Sequence, residues 1–572
     1  MNKELFGIFG DPAEFVRLRP RTEFDRIVEG ERLTVGVRDV GLDVPDRTAT
    51  YQDERGTCVI WGEAYPPTLA ANAAEWLLDR YLDAGSDAFA ELNGSYLVAV
   101  ETADDAFVLT DPIRSWECYY TDDPGVRAFG TDPAAVARTI ETPTLQRQQL
   151  LEFAHLGIVL GAETVFEELD RVPFDGRITA SAADELRRFV YRPREFDYAG
   201  ELAERLDEAV RRRLSLPGTK GLLLSAGFDS RTILARNSKL DACYTVGSPG
   251  SREATVAGRL AEQYGVPHRT LAPGESHLET DWESIQYGHG IKESIHIHHA
   301  NYVDQIDVDT VYHGLLFDTF LRGHFLPRDD YRAFGHRLPR NGLASNPDPV
   351  STLLTEKFGY IPACDAYGVS CPDGADSRQF ARRALERELS RGDDRVDSDY
   401  NATALLGIRN QPTTTFRTHL VDHYLESFVA ADSGLLQWHL TAPPEQRNSR
   451  TFLDAVGRLE GDVLRYRPPD RPHDSEKLNA VEQFVRARVP FLKPFEKSWP
   501  DRRAYYEQQN LDRKLFSAHP EIHDLPVRLK LRLNDLSCWI NRVVDSGVVG
   551  PSTILSPPAE RFTLTERRLP SQ

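Results

Sequence analysis

The 572 residues predict two fold classes in series. An α+β two-sheet domain is expected over residues 1–195. An α/β doubly wound parallel sheet with a helical C-terminal part should follow over 196–545, then a tail at 546–572. Three observations carry this. Short β-prone runs broken by turn residues dominate as far as Arg194. Beyond a connector at 192–198, continuous apolar runs alternate with amphipathic helical segments, the pattern of a parallel sheet covered on both faces. From about Asp376 the chain becomes helical and arginine-rich.

In the first part, Thr57-Cys-Val-Ile-Trp61, Ser95-Tyr-Leu-Val-Ala-Val100 and Ala106-Phe-Val-Leu-Thr110 are short strands bounded by Gly, Asp or Asn. Residues 69–81 predict the one helix there, with Ala73, Trp76, Leu77 and Tyr81 on a common face. In the second part, Leu202, Leu206, Ala209 and Leu214 mark a helix. Gly221-Leu-Leu-Leu-Ser225 then reads as a buried strand, and a further helix starts near Asp229. Ala242-Cys-Tyr-Thr-Val246 is a strand, 253–264 a helix with Val256, Leu260, Ala261 and Tyr264 inward, and Val308-Asp-Thr-Val-Tyr312 a later strand. The proline-containing end beyond Gly550 is expected to be loose. The chain shows no internal repeat.

The chain carries 68 basic and 88 acidic residues, a net charge of −20, which argues against a broadly basic nucleic-acid binder. Ten of the cations are Lys and 58 are Arg. An acidic, Lys-poor surface stays hydrated in strong salt, so a halophilic, archaeal-like cytoplasm is one reading; an acidic protein from a GC-rich genome is the other. The six cysteines (Cys58, Cys118, Cys243, Cys364, Cys371, Cys538) form no C-x-x-C pair, as expected of a reducing, cytoplasmic location. Neither a signal peptide nor a membrane-length apolar run is present, so no membrane partner is expected.

The strongest local signal is Ser225-Ala-Gly-Phe-Asp-Ser230, between an apolar strand and a helix. A turn of small residues exposes backbone N–H groups, and the next helix directs its positive end at the same point, which together make a phosphate cradle. Ser225 and Ser230 can donate to phosphate oxygens, and Asp229 can hold Mg²⁺. A plain Asp/Ser helix cap after a glycine turn is the simpler alternative.

The segment resembles the Ser-Gly-Gly-x-Asp-Ser pyrophosphate loop of the N-type ATP pyrophosphatases, with Ala226 in place of one Gly. Within that group it is similar to the synthetase domain of asparagine synthetases. The resemblance implies a PP-loop fold (adenine nucleotide alpha hydrolase-like), with ATP and Mg²⁺ bound by Ser225, Ala226, Gly227, Phe228, Asp229 and Ser230. Tyr244-Thr-Val-Gly-Ser248 resembles the family's adenine-contacting strand, implying contacts from Val246 and Gly247. Tyr312-His-Gly-Leu-Leu-Phe-Asp318 sits where the family has Ser-Gly-Glu-Gly-x-Asp-Glu, which implies Gly314 near the nucleotide and Asp318 as the second metal carboxylate beside Asp229 and as a catalytic residue. The family's C-terminal Arg-x-Lys corresponds to Arg465-Tyr-Arg467, implying Arg467 as a catalytic cation; an Arg there would stay protonated beside developing charge.

The N-terminal part resembles class II glutamine amidotransferases, which implies an Ntn-hydrolase-like fold. Phe6-Gly-Ile-Phe-Gly10 is similar to their Cys-Gly-Ile-x-Gly start, Gly62-Glu-Ala-Tyr65 to Gly-Glu-Ile-Tyr-Asn, and Asn93-Gly-Ser-Tyr96 to Asn-Gly-Met-Phe. Asp111-Pro-Ile-Arg-Ser-Trp-Glu-Cys-Tyr-Tyr120 is similar to Arg-Asp-x-x-Gly-x-x-Pro-Leu-Tyr-Tyr. The family nucleophile is an N-terminal Cys. Phe6 holds that place here, so the glutaminase half is expected to be inactive. Leu315 and Thr319 stand where the synthetase half has two glutamates.

Three functions remain open at this level. The first is an ATP-dependent ligase that adenylates a small-molecule or peptide carboxylate and forms an amide with ammonia or a substrate amine. The second is a PP-loop adenylating enzyme using another nucleophile. The third is a non-catalytic nucleotide-binding or scaffold protein. A homodimer is a possible assembly. The histidines around Ile295-His-Ile-His-His299, with His289 and His313, are expected to line the cleft; alternation that places His296 and His298 on one side of a strand would instead make a metal or proton-transfer pair. Arg211-Arg-Arg213 and Arg382-Arg383 read as solvated helix faces.

Overall fold

The computed structural model describes every residue except 69–70, 123–124, 279, 298–299, 334–335, 362–370, 474, 487, 490, 493–500, 545–548 and 565–572. His298, His299 and Cys364 therefore lie outside the described residues.

Two six-stranded antiparallel sheets form the N-terminal part. One runs Leu169–Arg171, Tyr119–Thr121, Ala128–Gly130, Glu4–Ile8, Thr34–Arg38, Arg26–Glu29. The other runs Ala183–Glu185, Gly176–Ile178, Ala106–Thr110, Asn93–Thr102, Gly56–Tyr65, Ala49–Asp53. Alternation along the strands sorts their side chains into layers. Leu5, Val35 and Val37 of the first sheet meet Trp61, Leu97 and Val108 of the second in the middle. Cys58, Ile60 and Val98 turn outward beneath the helix Ala73–Ala84. That helix starts later than the sequence suggests because the Asn72 side chain accepts from the N–H groups of Ala74 and Glu75 and caps it.

The outer face of the first sheet is covered from both ends of the chain. Phe6, Ile8 and Tyr119 pack with Leu150, Phe153, Leu529, Leu536 and Trp539, the last three from the long helix Val527–Val544. The segment expected to be a loose tail belongs to the same layer. Pro551–Leu555 is a helix with Ile554 and Leu555 buried, and Arg561–Thr563 pairs antiparallel with Thr144–Gln146. Apolar residues at 549, 554, 555 and 562 give this end a core to join.

The second domain is built on five parallel strands in the order His268–Leu271, Ala242–Val246, Lys220–Leu223, Thr310–Tyr312, Leu425–Ser427. Leu222, Cys243 and Tyr312 face one apolar cluster, with Leu202, Leu206, Ile233 and Leu260 from the covering helices. Leu223, Tyr244, Val246 and Val311 face another, with Ile306 and Leu420. The sheet is buried on both sides, as its continuous apolar strands require. Among the described residues no helix is long and apolar enough to cross a membrane.

Charged residues close the seam between the two domains. Arg213 was read from its neighbours as part of a solvated run, yet it is 0% exposed. Its Nε donates to Glu63 of the second sheet at 2.9 Å, and a terminal nitrogen reaches Asp432 at 3.1 Å. Arg395 likewise meets Asp175 at 2.8 Å, both fully buried. The helix Val527–Val544 carries a further buried acid, Asp535, which accepts from the N–H and hydroxyl of Ser294, each at 2.8 Å. Burial pushes this carboxyl up to about 7 against those two hydrogen bonds. Its folded value lies above the unfolded value of ~3.9, so the native state holds the extra proton between ~pH 4 and 7, and its contribution to stability falls as pH rises through that window. Asp535→Asn keeps an acceptor for the Ser294 N–H and removes the titration. The variant should lose less stability than the parent between pH 4.5 and 7.5, by about 2–4 kcal/mol, in paired urea titrations.

Candidate functional site

The turn at 225–230 joins the C-terminal end of the central strand Lys220–Leu223 to the helix Asp229–Arg236. The sheet grows to one side through Ala242–Val246 and to the other through Thr310–Tyr312, so the turn lies where strand order reverses, the usual ligand crevice of open α/β sheets. Ser225 is exposed on the rim, Ala226, Phe228 and Ser230 are buried, and Gly227 and Asp229 are half-buried. Inside the turn, the Gly227 N–H donates to Ser225 Oγ at 3.1 Å and the Ser225 N–H to Ser230 Oγ at 3.1 Å. The Ala226 N–H donates to a carboxylate oxygen of Glu253 at 2.6 Å. That oxygen occupies the position of an anion at the turn, which is what a cradle of backbone N–H groups is suited to hold.

Arg231 fixes the turn from below. Its guanidinium donates to the carbonyls of Gly227 (2.8 Å) and Ala226 (2.6 Å), and across to those of Val463 (3.2 Å) and Tyr466 (2.5 Å). The segment carrying Arg465 and Arg467 is thereby held against the turn. Arg467 is exposed, and its charge bears on Arg231, whose own pKa burial lowers to about 10.

The Thr310–Tyr312 strand delivers the second half. Gly314 passes so close that a Cβ there would lie 2.8 Å from the Ser230 nitrogen and 2.9 Å from the Asp229 carbonyl carbon. Leu316 follows in the left-handed region (φ 65°), a costly conformation for a branched residue, and turns the chain into the helix Phe317–Leu321 that carries Asp318. His313 steadies this loop: its Nδ1 accepts the Leu315 N–H, which leaves Nε2–H to donate to Glu426 at 2.8 Å. Burial works against the Glu426 charge, but Arg417 and His313 hold its carboxyl down to about 2.

Asp229 and Asp318 feel each other's charge across this crevice. Asp229 Oδ1 accepts from Arg322 at 2.8 Å, and Asp318 Oδ2 lies 3.2 Å from His324 Nδ1. Burial pushes the Asp229 carboxyl up; Arg322 opposes this and the Asp318 charge adds to it. Asp318 is held down to about 2, its contacts with His324 and Arg322 outweighing burial. Lys357, beyond the crevice, is also within electrostatic reach of Asp318. Two carboxylates within electrostatic reach of each other are the number that Mg²⁺ takes from a protein when it keeps several waters for phosphate oxygens. Among the described residues no three His, Cys, Asp or Glu side chains form a metal-binding group.

Val246 and Gly247 end the neighbouring strand at the same rim; Val246 is buried against Leu271, and the Gly247 N–H donates to the Leu271 carbonyl at 3.0 Å. Arg322, Arg231, His324 and Glu253 were not singled out from the sequence. The signal available for Arg322 and His324 was their place just after Asp318. Of the pair expected on one strand, His298 lies outside the described residues and His296 is not on a strand. His296 ends a single 3₁₀ turn, Ser294–His296, and lies 3.3 Å from Glu293. His289 meets the Tyr119 hydroxyl at 2.8 Å.

The parallel sheet thus presents, at its C-terminal rim, a turn with two serines and two aspartates within electrostatic reach of each other. Residues 201–291, which span the central strand, the turn and the two helices after it, match the asparagine synthase family. Over those residues the chain is similar to that family. A comparison with curated proteins finds no match. Among solved structures, the chain is similar at 11% identity to the allosteric regulatory enzyme of purine biosynthesis, over 56% of this chain and 70% of that one, with a TM-score of 0.18. Glutamine phosphoribosylpyrophosphate amidotransferase from B. subtilis, complexed with ADP and GMP, gives 11% identity, the same two coverages and a TM-score of 0.17. Scores this low leave fold and activity to be argued from the chain itself.

Proposed function

We propose that this protein is an ATP-dependent carbon–nitrogen ligase of the asparagine synthetase type, AMP-forming, which joins a substrate carboxylate to ammonia or a substrate amine. The observation that carries this reading is the convergence of the 225–230 turn, Asp229 and Asp318 at one rim of the sheet, the turn and Asp229 within the matched residues 201–291 and Asp318 beyond them. In this reading the substrate carboxylate attacks the α-phosphorus of ATP, pyrophosphate departs, and the amine then displaces AMP from the acyl carbon. The Ala226 N–H and its neighbours in the turn bind the departing pyrophosphate once Glu253 yields its place. Asp229 and Asp318 would hold Mg²⁺, which when bound neutralises phosphate charge. Arg231 keeps the turn in shape, and Arg467 adds positive charge beside it.

The glutaminase half is inactive in this proposal. Phe6 lies on the central strand Glu4–Ile8 with its ring against Phe15 and Phe24 and is fully buried. It offers no nucleophilic atom. A non-catalytic nucleotide-binding or scaffold role is the second reading. It is favoured by one observation, the Arg322 guanidinium seated on Asp229 where a metal would bind.

The test is pyrophosphate release from Mg·ATP across a panel of carboxylates, with ammonium or primary amines present. The ligase reading expects release that depends on the carboxylate, together with AMP. Glutamine alone should yield no glutamate above a buffer control. Binding of Mg·ATP without turnover on any carboxylate would favour the scaffold reading, and glutamate release would overturn the assignment of Phe6.

A further inference from the structure

Arg47 is a cation buried without a partner: it is 7% exposed, and its guanidinium makes neither a hydrogen bond nor an ion pair among the described residues. Its charge bears on Tyr65 of the second sheet and on Tyr312 of the parallel sheet, which places it in the seam between the domains. The carboxylates nearby are already engaged. Glu63 accepts from Arg213, Tyr65 and the Phe428 N–H, and Asp39 accepts from the Thr48 hydroxyl and the Gly41 N–H. Asp46, the preceding residue, feels the Arg47 charge without bonding to it. A buried charge left in this state is costly and calls for a counter-ion.

Other donors gather at the same place. The Arg213 charge bears on the same two tyrosines, and its guanidinium lies 5.1 Å from the Tyr65 ring centroid. Its Nη2, like Nε and Nη2 of Arg47, is buried without an acceptor among the described residues. Ser427 is fully buried and stands opposite Tyr312 in the strand ladder, so the two side chains share a face of the sheet. Its hydroxyl has no partner among the described residues either, and the N–H of the next residue, Phe428, donates to Glu63 at 3.2 Å. All four of these atoms can donate, and three of them carry guanidinium charge. A water among them would bring two protons that need acceptors of their own. A small anion brings none, and it supplies the negative charge that Arg47 lacks.

We propose that Arg47, Arg213 and Ser427 form a binding site for one small monovalent anion, chloride, held between the N-terminal sheets and the parallel sheet. The charge count favours a monovalent ion. Arg212 and Arg213 are balanced by Asp432 and Glu63, and Lys3 has Asp39 at 3.6 Å, which leaves the single charge of Arg47. An ion enters past Arg47, the one guanidinium of the set that no hydrogen bond ties down. The site stands apart from the ligase reading, since no reacting group takes part in it.

The experiment compares the full chain with Arg47→Met in sodium gluconate, whose anion is too large for the seam, while chloride replaces gluconate at constant sodium. Urea midpoints are read for both proteins, so general salt effects cancel in the difference. In gluconate the variant should be at least as stable as the parent, because it removes an unpaired buried charge. In chloride the order should reverse, and the unfolding constants should diverge by up to about a hundred-fold over a hundred-fold rise in chloride above its dissociation constant. Ser427→Ala, which keeps both guanidiniums, should need more chloride for the same gain. Crystals grown in bromide should show an anomalous peak touching Arg47 and Arg213. A parent–variant difference that ignores chloride would overturn the proposal, and a bromide peak without that difference would mark an adventitious ion only. Absence of the peak from the seam would overturn it too. A gain produced by formate or acetate and not by chloride would overturn the halide assignment and give the site to a carboxylate.

Discussion

Arg213→Met is expected to cost about 3–5 kcal/mol of stability, the largest single effect foreseen for this chain. The substitution keeps most of the side chain's length and apolar stem and deletes only the guanidinium. Glu63, 1% exposed, then loses its cation in the seam between the domains and keeps, among the described residues, the Tyr65 hydroxyl and the Phe428 N–H as donors. Asp432 retains Arg212, so the damage falls on Glu63. An isolated buried carboxylate must pay for desolvation or take up a proton, and either outcome favours unfolding. The apparent unfolding midpoint in urea measures the loss at pH 7. Removing both charges, as Arg213→Met with Glu63→Met, should recover most of it, because a buried pair replaced by apolar groups is often neutral. A double variant no more stable than the single one would show that Arg213 acts through its other contacts, the Ala209 carbonyl and the Tyr65 ring.

Asp229→Asn and Asp318→Asn form the second test, aimed at the crevice. Each removes one negative charge and keeps the shape, and each should weaken Mg·ATP binding about ten- to hundred-fold, ~1.4–2.7 kcal/mol. Calorimetric titration of the two variants and the parent measures this, with circular dichroism as the fold control. Arg322→Met completes the series. If Arg322 only occupies Asp229 until Mg²⁺ arrives, its removal leaves Mg²⁺ affinity equal or higher. Unchanged Mg·ATP affinity in both aspartate variants would leave Arg322 as the resident cation and the scaffold reading as the better one.

Much of this architecture can be read from residue pattern, for identifiable reasons. The run at 221–224 is apolar without interruption because its strand is covered on both faces, and the helix Arg252–Gln263 shows its 3.6-residue periodicity because it has one wet side. The strand Leu425–Ser427 was not legible. It is three residues long and has a buried glutamate at its centre, tolerable only because Arg417 and His313 arrive from other elements. The same blindness applies to Arg213 and Arg322. A charged side chain reads as exposed until a partner is placed beside it, and here the partners lie far away along the chain. The turn at 225–230 was visible because its chemistry is local: small residues, hydroxyls and an aspartate between a strand and a helix. That Glu253 would sit on the Ala226 N–H was not visible, since it depends on how a second strand–helix unit packs beside the first.

The covering of the first sheet by the far end of the chain has a consequence for how the protein comes into being. As the chain leaves the ribosome, the two N-terminal sheets emerge first, but Phe6, Ile8 and Tyr119 lack their outer layer until the helix Val527–Val544 has been made. During that interval the nascent chain carries an open apolar face, of the kind that chaperones hold and that neighbouring chains on one messenger can mistake for a partner. Closing it requires a contact between residues hundreds of positions apart, which is slow to find. The two halves are consecutive in sequence and yet do not mature one after the other; the first is completed only by the last.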